Sequence, residues 1–347
     1  MSTDTRDGLP TGIATGIGSW PGTDPREAAA VAVGELPGLP HLVELPARGV
    51  GADMIGRASA LLVDLRFDTT PRGYRLADRP GATSRRATDL LRIDIDALDE
   101  AWEAAGLRGS GRTVKVQAVG PLTLAAEVEL RSGHRALTDP GALRDLSASL
   151  AEGLAQHVAE VGKRLDAEVV LQLDEPDLTA VLNGSLRGAS VLNTVRALPE
   201  PEALALLDGV IGAQDVPVLI HTCAAPPALP FLRRCAATAV GFDLTTIATA
   251  ELDAVGELLD GGKQLVLGLV PTTAPATAPG WREIAEPGVR LIDRLGFPRR
   301  TLADQILVSP ACGLATAPLD WARRALALAR DVATAYADEP ESLTFEG

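Results

Sequence analysis

Short apolar runs alternate with longer amphipathic stretches along most of the chain. The short runs are rich in β-branched residues and have the length of buried strands, whereas the longer stretches, rich in Ala, Leu, Arg and Glu, have helical periodicity. This alternation predicts an α/β fold with parallel strands. Eight strands are predicted: Ile13–Gly18, His41–Glu44, Val114–Val119, Glu168–Leu173, Val216–Ile220, Ala239–Leu244, Gln264–Leu269 and Gln305–Val308.

Eight strands that alternate with helices over 347 residues are typical of a (βα)₈ TIM barrel. A doubly wound open sheet is the competing architecture. No linker rich in Ser, Gly and Pro divides the chain, so we predict a single barrel domain over residues 11–337, preceded by a flexible segment, 1–10, and followed by an acidic tail, 338–347. The longest connection, between the second and third strands, is predicted to hold a helix, Ala52–Leu62, and an irregular segment, Arg72–Arg86.

The composition excludes several classes of partner. A net charge of −14, a pI near 4.8 and no basic block argue against nucleic acid and anionic membranes as partners. No apolar stretch approaches the length of a transmembrane helix. Three cysteines are too few, and odd in number, for a disulfide framework, and the N-terminal sequence has no leader-like apolar run. We therefore expect a cytoplasmic protein whose thiols stay reduced.

Polar side chains follow six of the eight predicted strands. In a barrel the carboxyl ends of all strands surround one mouth, where the loops carry the chemistry. The sequence therefore predicts that carboxylate, imidazole, thiol and hydroxyl groups meet there, namely Ser19, Glu44, Asp174 with Glu175, His221 with Cys223, Asp243 and Cys312.

The triplet His221-Thr222-Cys223 is the most informative of these motifs. Residues i and i+2 of an extended segment point the same way, so that imidazole and thiolate can converge on one ion. Cys312 can supply a second sulfur across the mouth and Asp243 an oxygen, and this set favours Zn²⁺. The alternative is that the cysteines are small buried apolar residues, which is our prediction for Cys235, within a helix.

A thiolate-rich zinc site favours sulfur alkylation over hydrolysis, because it binds a further thiol and lowers its pKa. Asp174 is the predicted catalytic residue and, with Glu44, is predicted to hold a substrate ammonium. Ser19, between glycine and tryptophan, is predicted to bind a carboxylate. Glu175 is either a further site residue or a helix cap.

Five motifs, in this order, resemble the catalytic C-terminal barrel of cobalamin-independent methionine synthase. They span nearly the whole chain and are Ile17–Pro21, Gly120–Thr123, Gln172–Pro176, His221–Cys223 and Cys312–Leu314. The superfamily also contains uroporphyrinogen decarboxylases and zinc-dependent corrinoid methyltransferases. A metal-free decarboxylase is the least favoured of these, since it leaves the histidine and the two cysteines without a purpose.

The resemblance implies a function as well as a fold. It implies a zinc-dependent S-methyltransferase that methylates homocysteine to methionine, with zinc held by His221, Cys223 and Cys312. A glutamate of the family is matched here by Asp243. The resemblance also implies that Ser19, Glu44 and Asp174 bind the homocysteine backbone, and that methyltetrahydrofolate is the methyl donor.

The chain departs from the family pattern at positions that concern the donor. A second family glutamate is replaced by Ala180, the acid histidine after the seventh strand by Val270 or Pro271, and two basic residues by Ala315 and Ala317. The full enzyme of the family is a duplicated barrel of about twice this length. These departures leave two alternatives open, a methyl-corrinoid protein as donor and a homologue that binds zinc and thiol without turnover.

Overall fold

The computed structural model describes residues 8–188 and 195–344. Residues 1–7 of the predicted flexible segment and 345–347 of the predicted acidic tail lie outside the described residues. The strands are β1 Arg66–Thr70, β2 Gly73–Ala77, β3 Thr113–Val119, β4 Val128–Glu129, β5 Glu168–Asp174, β6 Val218–Thr222, β7 Ala239–Asp243, β8 Gln264–Val270 and β9 Ile306–Pro310.

Helices cover the sheet and fill most connections between strands. Within the described residues they are α1 Pro25–Glu35, α2 Met54–Leu61, α3 Ala82–Ala104, α4 Pro121–Glu127, α5 Pro140–Leu165, α6 Leu178–Asn183, α7 Glu200–Gly212, α8 Leu229–Leu232, α9 Leu252–Asp260, α10 Trp281–Leu295, α11 Thr301–Asp304 and α12 Leu319–Asp338. None of them is both long and apolar enough to cross a membrane.

The main sheet contains six parallel strands in the order β3-β5-β6-β7-β8-β9. These are the third to eighth predicted strands, and their observed bounds differ from the predicted ones by no more than two residues. Helices connect most successive strands, and the apolar side chains between sheet and helices form one large core. The α/β class and the parallel order are thereby confirmed.

The first two predicted strands are corrected by the structure. Residues 13–18 and 41–44 are extended but form no regular strand, and at Gly18 the backbone has φ +146°, a conformation that strands do not use. Three isolated parallel bridges link these two segments to the sheet and to each other. Ala14 pairs with Val308 on β9, His41 pairs with Lys115 on β3, and Ser19 pairs with Glu44. The result is a curled six-stranded sheet in a TIM-like arrangement.

A small three-stranded sheet is the part of the fold that the sequence pattern did not predict. β1 lies just before the segment predicted to be irregular, and β2 lies inside it. The two strands form an antiparallel hairpin, and β4 pairs with β2. Phe67 and Tyr74 pack on each other across the hairpin, with ring centroids 6.2 Å apart. The Tyr74 hydroxyl accepts a hydrogen bond from Gly51 N at 2.9 Å and donates one to Asp53, the N-cap of α2. The predicted helix at 52–62 is confirmed as α2.

Helix starts and the amino end of the sheet follow from local chemistry. Asp24 and Asp139 cap α1 and α5, each before a proline in the first turn, where its missing N–H costs nothing. At the amino end of the sheet, the Gln264 side chain accepts from Leu9 N at 2.7 Å and donates to Leu9 O at 2.9 Å. This end is therefore closed by a fully bonded polar pair.

Candidate active site

A cavity of about 240 Å³ lies at the carboxyl ends of the parallel strands. Six of the seven predicted site residues line it, in spite of their wide separation in the sequence, and Asp243 does not. The structure therefore brings the predicted groups together, while their roles stay predictions. The lining residues are Ile17, Ser19, Glu44, Met54, Asp174, Pro176, His221, Cys223, Cys312 and Gly313.

His221 and Asp174 face each other at the ends of two neighbouring strands, in register in the sheet. The distance between His221 Nδ1 and Asp174 Oδ1 is 2.8 Å. A carboxylate only accepts hydrogen bonds, so Nδ1 carries the ring proton and the lone pair is on Nε2. His221 Nε2 is buried and has no hydrogen-bond partner among the described residues. A buried acceptor without a partner costs about 1–3 kcal/mol, which indicates a site for a ligand.

The two cysteines of the cavity interact with each other. Cys223 is exposed and Cys312 is half-buried. Their mutual hydrogen bond leaves the proton on Cys223, which raises the pKa of Cys223 and lowers the pKa of Cys312. Burial opposes this by raising the pKa of Cys312, and the Gly313 N–H lowers that pKa further. This position therefore favours a thiolate, the form that ligates metals.

The donor set of the cavity fits zinc in its chemistry. One orphaned imidazole nitrogen and two sulfurs are ligands that Zn²⁺ prefers, and the carboxylate behind the ring is the usual partner of a ligating histidine. Within the described ranges, no three His, Cys, Asp or Glu side chains are drawn together closely enough to hold a metal. The ligands thus share a cavity without being assembled around one point.

Asp243 is placed away from this set. Its Oδ1 accepts hydrogen bonds from Thr245 N at 2.8 Å and Thr245 Oγ1 at 2.7 Å, which caps the 3₁₀ turn Leu244–Thr246. The side chain therefore has a local structural role at the end of β7. Its service as a fourth ligand stays a prediction that the placement does not support.

Glu44 lines the same cavity and is held by a buried network of charges. Its Oε1 accepts from Gln117 Nε2 at 3.1 Å and lies 3.6 Å from Arg57 Nε. Arg57 also contacts Asp94 at 2.5 Å, and Asp94 contacts Arg48 at 2.7 Å. Burial raises the pKa of Glu44, which the charge of Arg57 opposes. The network fixes this carboxylate at the edge of the cavity.

Ser19 reaches the cavity because Gly313 leaves room for it. A Cβ atom on Gly313 would lie 2.0 Å from Ser19 Oγ, so a larger residue there would force this hydroxyl into another rotamer. Leu314 N donates to Ser19 O at 2.9 Å, which ties the segment after β9 to the first extended segment. The hydroxyl of Ser19 thus faces the same space as both sulfurs.

Glu175 is a helix cap and not a member of the cavity. It is completely buried, and its oxygens accept from Leu122 N at 2.9 Å, Thr123 N at 2.8 Å and Thr123 Oγ1 at 2.7 Å. The capped helix is therefore α4, which follows β3, and not the helix after Glu175 itself. Burial raises the pKa of Glu175 to about 7. The predicted cap of the helix after Glu175 is therefore wrong, because the carboxylate binds the first turn of α4 instead.

Cys235 is a core residue, as predicted. It is buried, and its thiol donates to Leu232 O at 3.0 Å. The two cavity cysteines differ from it in exposure and surroundings, so the interpretation of all cysteines as buried apolar residues does not hold.

A layer of polar side chains beneath the cavity was not predicted from the sequence. Lys115, Gln117 and Gln172 are buried inside the sheet, and the two glutamines are register partners on β3 and β5. Each glutamine donates from Nε2 to a cavity carboxylate, Gln117 to Glu44 and Gln172 to Asp174. The available signal was two polar residues at alternate positions of an otherwise apolar strand, which places them on one face.

Comparisons with known proteins support the fold and a family. Residues 10–335 match the family model described as the catalytic domain of cobalamin-independent synthase. The structure is similar to a methyltransferase from Methanosarcina mazei, with 16% identity, a TM-score of 0.56 and coverage of 95% of this chain and 94% of that one. It is also similar to a B12-independent methionine synthase from Shewanella sp. W3-18-1 in complex with selenomethionine, with 11% identity, a TM-score of 0.57 and 95% coverage of both chains. At these identities the two likenesses show a shared fold. No curated protein sequence matches the chain.

Proposed function

This chain belongs to the family of catalytic domains of cobalamin-independent synthases, and we propose on that premise that it is a zinc-dependent S-methyltransferase with homocysteine as acceptor and methionine as product. Membership of the family makes it a methyltransferase of the methionine synthase superfamily. The metal, the acceptor and the donor are the proposed part.

The observation that carries the proposal is the state of His221. Its Nδ1 is bonded to Asp174, while Nε2 is buried and unpartnered beside a cavity that two cysteines also line. Zinc bound by these three residues would supply a position at which a substrate thiol is held as a thiolate at neutral pH. The buried His41 Nδ1 also has no partner among the described residues, so it is the pair of cysteines beside His221 Nε2 that points to a metal.

The remaining groups of the cavity match the backbone of an amino acid. Asp174 and Glu44 offer carboxylate oxygens to an ammonium, and the Ser19 hydroxyl can donate to a carboxylate. Asp174 Oδ1 is engaged by His221 and Gln172, whereas Oδ2 has no hydrogen-bond partner among the described residues. Two anchored ends fix the orientation of the side chain, so that the sulfur of homocysteine is held toward Cys223 and Cys312.

We also infer that the two bridged segments complete an eight-membered ring of strands. The bridges link them to each other and to both edges of the six-stranded sheet. The carboxyl ends of all eight segments would then surround one mouth. This would explain why Ser19 and Glu44, at the ends of the two bridged segments, line the cavity with residues of β5 and β6.

A methyl-corrinoid protein is the second candidate for the donor. β8 ends with the buried Val270, and the next residue is Pro271, whose carbonyl accepts from Trp321 Nε1 at 3.0 Å. Neither residue can donate a proton to a leaving group. A folate leaving group requires a proton on nitrogen, whereas a corrinoid leaves as the reduced metal without one, and this difference favours the corrinoid donor.

Metal analysis and a paired donor assay test the proposal. We expect about one zinc per chain, and methionine from homocysteine with either methyltetrahydrofolate or a methyl-corrinoid donor. Cys223→Ala should lose both the zinc and the activity, whereas the core variant Cys235→Ala should keep both. A zinc-free wild type, or a Cys223→Ala variant with full activity, would contradict the mechanism. Homocysteine binding without product from either donor would instead indicate the homologue without turnover.

A further inference from the structure

Lys115 is a buried cation for which the proposed reaction has no role. It lies on β3 with no exposed surface, and its ammonium donates to two uncharged oxygens, of Gln172 and Ile17. Burial lowers the pKa of Lys115 to about 7, against the charges of Asp174 and Glu44, which raise it. An ammonium in the interior costs several kcal/mol in lost hydration, so that a specific use is expected.

The hydrogen bonds of Lys115 lead to the amide of Gln172. Lys115 Nζ donates to Gln172 Oε1 at 2.7 Å and to Ile17 O at 3.3 Å. Because an ammonium only donates, the amide oxygen of Gln172 must face Lys115 and the amide nitrogen must face away from it. That nitrogen donates to Asp174 Oδ1 at 2.8 Å and to Ile17 O at 2.8 Å. The lysine therefore holds the oxygen end of the same amide whose nitrogen end holds the carboxylate.

We propose that Lys115 is a positioning residue that holds the Asp174 carboxylate, and with it the tautomer of His221, in place through the Gln172 amide. The hydrogen bonds converge on Asp174 Oδ1, which accepts from Gln172 on one side and from His221 on the other, so a displaced carboxylate would release the ring. Asp174 Oδ1, held by the Gln172 amide, accepts from His221 Nδ1 at 2.8 Å. The ring proton stays on Nδ1 and the lone pair on Nε2, the atom that is buried without a partner.

The neighbouring glutamine shows what the lysine adds. Gln117 makes the same kind of contact with Glu44, but its Oε1 is buried and has no partner among the described residues. That amide is held at its nitrogen alone, which donates to Leu42 O at 2.6 Å and to Glu44, and Glu44 holds no histidine. Lys115 thus bonds to the glutamine that contacts Asp174 and, through it, His221.

This inference rests on the proposed ligand role of His221, and its test separates the two claims. The ¹⁵N spectrum of the metal-free full chain reports the tautomer of His221, which is assigned by the loss of its signals in His221→Gln. Wild type should show a single tautomer with the proton on Nδ1, and Lys115→Met should show a mixture. In competition with a chelator, Lys115→Met should bind Zn²⁺ about tenfold to a hundredfold more weakly, the range for lost outer contacts of a metal ligand.

Gln264→Met is the matched control, because it removes a buried, fully bonded polar side chain at the other end of the sheet. It should leave the His221 tautomer and the Zn²⁺ affinity unchanged. If Lys115→Met does not fold, Gln172→Met breaks the same chain of hydrogen bonds and should give the same mixture. A single Nδ1 tautomer and unchanged affinity in a folded variant would overturn the inference. A wild type that binds no zinc would overturn the proposed function, while the tautomer would still test Lys115.

Discussion

The two ends of the parallel sheet are built on opposite principles. At the amino end, Gln264 is bonded at both side-chain atoms to the backbone of Leu9, within a small apolar cluster. At the carboxyl end, carboxylates, thiols, a hydroxyl and an imidazole surround an open cavity, and His221 Nε2 has no partner. Gln264 is satisfied within the fold, whereas the groups around the cavity are left available to a ligand.

This difference shows where unpartnered polar groups lower folding stability but are available to bind a ligand. A buried polar atom without a partner destabilises the fold by about 1–3 kcal/mol, and the amino end avoids that loss by pairing side chain with backbone. The carboxyl end keeps such an atom, His221 Nε2, in spite of this loss of stability, which is expected where a bound ligand completes the bonding. Substitutions at the two ends should therefore affect different measurements.

Removal of a sulfur ligand at the carboxyl end should have the largest effect. Cys312→Ser is expected to lose zinc and to reduce methyl transfer by at least about a thousandfold, because a hydroxyl is a poor substitute for a thiolate in a zinc site. Zinc content and turnover measure this, with Cys235→Ser in the core as control. Equal loss of zinc in both variants would mean that the cavity cysteines have no special role.

Removal of the carboxylate behind His221 should have the next largest effect. Asp174→Asn can present an amide N–H to Nδ1, which favours the wrong tautomer, and activity is expected to fall about a hundredfold. The control is the adjacent Glu175→Gln, which weakens the cap of α4 and should lower stability with little change in turnover per folded molecule. If the two variants lose activity equally, the distinction between these neighbours is wrong.

At the amino end, Gln264→Met should change stability and leave catalysis intact. The N–H and C=O of Leu9 lose their partner, so the free energy of unfolding is expected to fall by about 1–3 kcal/mol. Urea unfolding and kcat per folded molecule test the two parts separately. A fall in kcat at unchanged stability would show that the two ends are coupled.

The smallest effect is expected from His157, a buried histidine in the helical layer on α5. Burial, aided by the charge of Arg57, lowers its pKa to about 4. A histidine whose folded pKa lies below the unfolded value binds its proton more tightly when unfolded, so stability is lost as pH falls from about 6.5 toward 4. Between pH 7 and 5.5, wild type should lose about 1 kcal/mol more in urea unfolding than His157→Gln. Identical losses would show that His157 does not titrate differently on folding.

Much of the fold could be predicted because buried parallel strands are continuous apolar runs. Six of them were found within two residues of their observed bounds. The two bridged segments were predicted as regular strands because apolar content does not reveal that Gly18 takes φ +146°. The hairpin of β1 and β2 was missed, since its stability comes from the tertiary contacts of Phe67 and Tyr74 rather than from a strong local pattern.

For the candidate site, the sequence by itself determined which groups could meet, because parallel strands bring their carboxyl ends to one place, and six of seven predicted residues do line one cavity. Only the tertiary structure decided what each group faces. In the structure Glu175 accepts from the first turn of α4, and Asp243 accepts from Thr245. Lys115 is linked to Asp174 by hydrogen bonds through Gln172. Hydrogen-bond partners depend on ångström distances between residues far apart in the chain, and residue type and spacing along one strand do not encode them.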